Sequence, residues 1–151
     1  MQDKDLKYLA RFTRELAEKI KVGASELPKE VANELVETLI NITPADTSKA
    51  LSNWMATLNK PSTSEIGPYF DGDKGSTAKQ SSKAAIDAAD SNISGRKTSQ
   101  DIYIVNNVDY IEELNDGSSK QAPAGFIENS ILSSKKMIKY SELIKDRQKV
   151  K

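Results

Sequence analysis

Apolar residues recur every three or four positions through the first third of the chain. Leu9, Phe12, Leu16 and Ile20 form one stripe and Val31, Leu35, Leu39 and Ile42 a second. Each predicts an amphipathic helix that buries one face in a core or against a sheet. Gly23-Ala24-Ser25 separates the two, Ser25 or Pro28 opens the second, and Thr43-Pro44 ends it. Asp46-Thr47-Ser48 then reads as a cap or turn, and the period changes. Ala50 to Leu58 predicts a strand with Trp54, Ala56 and Leu58 on one face and Met55 and Thr57 on the other. Trp54, the single tryptophan, has two uses: filling core against the N-terminal helices, or entering a neighbour's pocket. The apolar area it buries favours the core.

Residues 59–77 break the pattern, being rich in Pro, Gly, Ser and Thr. So long and polar a stretch predicts a surface loop or arm. Tyr69-Phe70 in its middle is either an anchor on a partner or a pair folded back on its own domain. Ala78 to Ile93 predicts a helix with Ile86, Ala89 and Ile93 on one face, closed by Gly95, whose small side chains allow close packing on a sheet. Ile102-Tyr103-Ile104-Val105 predicts a strand apolar on both faces, hence either central to its domain or covered from outside it. Asn106-Asn107 supplies turn chemistry. Asp109 is placed to cap a short helix over residues 110–114, with Glu112 in the capping-box position and Gly117 left-handed beyond its end. Pro123 holds Ala122 extended and presets a last helix from Ala124, carrying Phe126, Ile127 and Ile131. The polar stretch before Pro123 reads as a docking loop held between two helix ends.

At 151 residues the chain is one domain's worth, read as a single domain over 1–151. With 37% hydrophobic and 29% charged residues its core is lean, as in subunits that complete their burial in an oligomer. Formal charge is zero, but residues 133–151 hold seven Lys/Arg against two Asp/Glu, a net of +5, which leaves −5 elsewhere. This basic tail suits phosphate contacts, a solvated helix end beside the C-terminal macrodipole, or an arm reaching an acidic partner. Two motif runs are more specific. YIEELNDGSSKQAPAGFIENSI, from Tyr110, resembles a run late in the tail-completion or neck proteins of long-tailed bacteriophages, the gene-product-ten family. The upstream Pro44-Ala45-Asp46-Thr47-Ser48-Lys49-Ala50-Leu51-Ser52-Asn53-Trp54 is similar to that family's "P.DTG.A..NW" run, with Ser48 where the family usually has Gly and Lys49 where Arg is common.

The resemblance implies an α+β fold: an antiparallel or mixed β-sheet, a long N-terminal helical segment (1–42) packed across it, and further helices at the side and C-terminus. It also implies a virion structural protein, a ring, six-fold in neck members, at the head–tail joint. Such a ring sits between a portal or adaptor and the tail terminator or tube, with DNA passing through its lumen. A tail-terminator ring is the neighbouring alternative, and a small nucleic-acid-binding or regulatory protein using the basic tail is a second. Expected contact residues are Tyr69 and Phe70, together with Asp116, Gly117, Ser119, Lys120, Gln121, Ala122 and Pro123 of the docking loop and the basic tail.

Chemistry narrows little beyond this. Without Cys or His, thiolate chemistry, the usual zinc sites and imidazole bases are excluded. Asp71-Gly72-Asp73-Lys74-Gly75 resembles a calcium loop, but Ser76 and Ser82 stand where Gly and Glu are needed. Adjacent Glu112 and Glu113 cannot face each other as a catalytic pair, and Ser118, Ser119 and Lys120 are loop neighbours with no sign of the burial a Ser-Lys dyad needs. No phosphate-loop or dinucleotide motif occurs. The expectation is a protein that is no enzyme, holds no metal or cofactor, and assembles in the host cytoplasm. The charged N-terminus reads as no signal peptide, and no apolar run is long enough for a membrane span.

Overall fold

The structure is a computed structural model that describes residues 26–136. The stripe from Leu9 to Ile20 and the tail beyond Lys136 lie outside the described residues. Among the described residues the elements up to Asn115 are α1 (Glu26–Ile42), α2 (Lys49–Ser52), β1 (Met55–Leu58), α3 (Ala78–Ser94), β2 (Ile102–Val105) and α4 (Ile111–Asn115). Residues 126–136 are helical and are called α5. The fold is α+β, with a two-stranded antiparallel sheet.

α1 buries Val31, Leu35 and Leu39 as their spacing requires, and widens the stripe with Leu27, Ala32, Val36 and Ile40. Ile42 is only partly buried. The helix lies chiefly against α3 and also touches β2. α3 offers Ser81, Ala85, Ala89 and Ile93 to the interior, and three small residues of these four let the helices approach closely. Ala89→Leu should therefore overpack this contact and lower unfolding stability by about 1–3 kcal/mol, read from a urea midpoint.

The strands pair Met55 with Val105 through Leu58 with Ile102. The Asn59 N–H bonds the Asp101 carbonyl at 2.9 Å, so Thr57/Tyr103 and Met55/Val105 are the hydrogen-bonded pairs and the Ala56 carbonyl points away from β2. Asn92 of α3 donates to it at 2.9 Å, which satisfies one acceptor on that edge of the sheet. Ala56, Leu58, Ile102 and Ile104 face the main core, and Tyr103 and Val105 on the reverse are buried too. Both faces of β2 are thus covered, although among the described residues it has one strand neighbour and is not central to a wider sheet.

Several local expectations are corrected. The strand expected over Ala50–Leu58 opens as helix: Ala50, Leu51 and Ser52 belong to α2. Ser48 adopts a left-handed conformation (φ 68°) and launches the turn α2, so extended chain begins only after Trp54. Trp54 is 2% exposed and donates its indole N–H to Thr43 Oγ1 at 2.8 Å. It serves the core. Neither Asn106 nor Asn107 takes a positive φ; Asn106 is buried, donating to the Ala50 carbonyl (2.8 Å) and accepting from the Val108 N–H (3.2 Å). Tyr110, not Asp109, stands at the N-cap of α4, and Glu112 makes no capping box, its Oε1 being buried with no hydrogen-bond partner. Helix α5 starts at Phe126, not Ala124, because Gly125 has φ +76°.

Residues 59–77 form a loop strapped to the body and not a free arm. Asn107 donates to the carbonyls of Ser62 (3.0 Å) and Ser64 (2.8 Å). Asn53, fully buried, mimics a strand neighbour: its amide donates to the Ile66 carbonyl and accepts the Ile66 N–H, both at 2.8 Å.

Candidate functional site

Ser48 begins the site. Its left-handed backbone is the geometry for which a glycine is the usual choice. The hydroxyl is buried and shares a 3.0 Å hydrogen bond with that of Thr77, which offsets part of the backbone cost. Asp46, two residues earlier, receives the Lys74 N–H on its carboxylate (2.7 Å) and the Gly75 N–H on its carbonyl (2.9 Å). The end of the Asp71–Gly75 segment is therefore held against Asp46. Among the described residues no group of three or more acidic side chains is gathered as a metal site.

The docking loop arrives from the other side. Gln121 clasps the backbone of Ala45 with both ends of its amide: it accepts the Ala45 N–H at 2.9 Å and donates to the Ala45 carbonyl at 3.2 Å. Between the two runs opens a cavity of about 420 Å³, walled by residues 44–50 on one side and by Tyr110, Leu114, Ser119 and Gln121 on the other. At its margin Lys49 is paired with Glu65 at 2.6 Å. The hydrogen bond to Glu65 holds the ammonium above the ordinary lysine range, against some desolvation, which is the wrong direction for a general base. Burial raises the Tyr110 phenol, with Lys49 opposing. The walls offer hydroxyls, one amide, the Asp46 carboxylate, the Lys49 ammonium and apolar surface, a set that can hold a partner's side chain.

Asn115 supports the loop from below. Its amide N–H groups reach both carboxylate oxygens of Glu128 at 2.9 Å, its Oδ1 accepts the Ile127 N–H at 2.9 Å, and its carbonyl accepts the Gly125 N–H at 2.6 Å. It ties the end of α4 to the start of α5, a capping duty that sequence had assigned nowhere. Gly117 is left-handed at φ +93°, and a Cβ there would sit 3.1 Å from that of Ala124.

Of the expected contact residues, Ser119 and Gln121 join the cavity wall. Asp116, Gly117, Lys120 and Pro123 are exposed around them, while Ala122 turns into the core. Tyr69 and Phe70 are exposed (42% and 47%) and do not line the cavity. Lys135 and Lys136 are exposed; the rest of the basic tail lies outside the described residues. The Gln121 clasp and the Lys49–Glu65 pair escaped sequence reasoning, although the two motif runs pointed to both neighbourhoods. No helix among the described residues is long and apolar enough to cross a membrane. No family model, curated protein or solved structure matches the chain.

Proposed function

We propose that this chain is a structural virion protein of a tailed phage, a ring subunit at the head–tail neck that joins the connector to the tail. One observation supports the reading above others. The two runs that carry the resemblance, more than fifty residues apart in the chain, meet across one cavity and are locked by the Gln121–Ala45 clasp. A motif pair that converges on a built surface, with its lysine held protonated, suits holding a neighbour better than turning over a substrate. In this reading the Asp116–Pro123 loop meets the portal, adaptor or tail side, copies of the chain surround the DNA channel, and the work is done in the virion after assembly in the host cytoplasm.

The test is a particle assay. Lys120→Glu combined with Gln121→Ala should leave a folded subunit, checked by circular dichroism, while heads and tails accumulate unjoined in electron micrographs. Normal yields of joined particles would refute the placement.

A further inference from the structure

Two Asp-Gly bonds occur in the chain, Asp71-Gly72 and Asp116-Gly117. At such a bond a backbone can rearrange without an enzyme. The glycine nitrogen reaches the aspartate side-chain carboxyl unobstructed, because no Cβ stands beside it. Both aspartates are exposed, so composition and exposure treat the two sites alike. Their backbones differ.

Gly117 belongs to the end of α4. Asp116 is helical (φ −77°, ψ −2°), and the Gly117 N–H donates to the Leu114 carbonyl at 3.2 Å. The flanking N–H groups of Asp116 and Ser118 are bonded to the carbonyls of Glu112 (2.8 Å) and Glu113 (3.1 Å). The nitrogen that would attack is thus engaged, and the turn around it has to open before it can move. Gly72 is in the opposite condition. Among the described residues neither its N–H nor the Asp71 carboxylate has a hydrogen-bond partner. The fold also requires glycine here: a Cβ on residue 72 would lie 2.6 Å from Ser76 Oγ and 2.7 Å from Thr77 Oγ1. Thr77 Oγ1 is not free to give way, since it is bonded to Ser48 Oγ and to the Phe70 carbonyl. The packing that demands Gly72 therefore leaves Asp71 beside a reactive neighbour.

We propose that Asp71 is a site of spontaneous isoaspartate formation in the folded chain, and that Asp116 is protected from it. The Gly72 nitrogen bonds to Cγ of the protonated Asp71 carboxyl. The carboxyl hydroxyl leaves with the amide proton as water, closing a five-membered succinimide. Water then adds back at one of the two ring carbonyls. Opening on the Cγ side restores aspartate; opening at the main-chain carbonyl gives isoaspartate, whose chain runs through the side chain and is one carbon longer. The formula is unchanged and solvent is the only co-reactant. That extra carbon falls between two fixed points, the Phe70 N–H held by Ser81 Oγ at 3.0 Å and the Lys74 N–H held by Asp46 at 2.7 Å. Ser81 is buried and the Lys74 contact is exposed, so the hold on Asp46 is the one that loosens. None of this rests on a place at the phage neck.

Full-length protein kept in warm neutral buffer for some weeks tests it. Peptide mapping separates isoaspartyl from aspartyl peptides of equal mass, and an isoaspartate-specific carboxyl methyltransferase labels the former. A parallel sample in urea gives the rate at each site with the structure removed. Isoaspartate should accumulate several-fold faster at Asp71 than at Asp116 in the folded chain, and at similar rates in urea. Asp71→Glu, which cannot close the same ring, should lose the Asp71 signal and leave the rest of the map unchanged. In the aged fraction the Lys74 amide should exchange faster than in fresh protein. Equal rates at the two sites in the folded chain would overturn the proposal, as would folding that slows Asp71 as strongly as Asp116. An aged fraction whose Lys74 amide exchanges as before would overturn the link to Asp46.

Discussion

Trp54→Ala should lower unfolding stability by about 3–5 kcal/mol, the usual loss for a large aromatic removed from a core. Trp54 is 2% exposed, packs in the main cluster, and its indole N–H is bonded to Thr43 Oγ1. Domains of this size hold about 5–15 kcal/mol in total, so the substitution should remove a large share of the chain's stability. A guanidinium titration followed by far-ultraviolet circular dichroism measures it. Trp54→Phe separates the two contributions, since it keeps most of the ring contact and loses the hydrogen bond; its expected cost is about 1–2 kcal/mol. Native emission from this single tryptophan should be blue-shifted and move to the red on unfolding. A loss below about 1 kcal/mol for the alanine variant, within the range of surface substitutions and mild core changes, would return Trp54 to the role of an interface anchor.

Asn115→Ala should cost about 2–4 kcal/mol, because it removes the cap on the Ile127 N–H and the amide donors of a carboxylate together. The Asn115 side chain is the joint between α4, α5 and Glu128. Its loss should loosen the Asp116–Pro123 loop first, seen as faster proteolytic cleavage there at temperatures where α1 and α3 remain folded. Asn115→Asp makes the cause visible. The shape is kept and the Ile127 N–H is still met, but a second carboxylate faces Glu128. Such a pair repels, so the folded state favours the protonated form. The deficit relative to the parent should be full at neutral pH and shrink as pH falls through the carboxylate range. A pH-independent deficit would mean that Glu128 is not the partner that matters.

How much of this was legible in the sequence follows the range of the forces involved. Val31, Leu35 and Leu39 announced α1, and the small-residue face of α3 was readable at Ala89 and Ile93, because helical period is a local property. Gly117 was legible for the same reason. The segment from Ala50 to Leu58 misled because its alternation is real only from Trp54 onward. What bends the first half into a helical turn is the left-handed Ser48 and the amide of Asn53, whose partner Ile66 lies thirteen residues away. The straps on residues 59–77 are the amides of Asn53 and Asn107 and the hydroxyls of Ser52 and Ser81, which in a sequence look like ordinary helix and loop composition. For the site, the motif runs marked both walls of the cavity. The clasp that joins them spans 76 residues, beyond the reach of any local pattern.

The sheet has a consequence in time as well as in shape. Its two strands are separated by residues 59–101, which include the whole of α3. No tight turn can bring β1 and β2 together, so their pairing has to wait for a long loop to close. The chain should therefore form its helices, whose hydrogen bonds are local, before the ladder zips. Until then Ile102 and Ile104 stand open to any other unpaired strand, and a crowded cell synthesising many copies at once will test how quickly that interval passes.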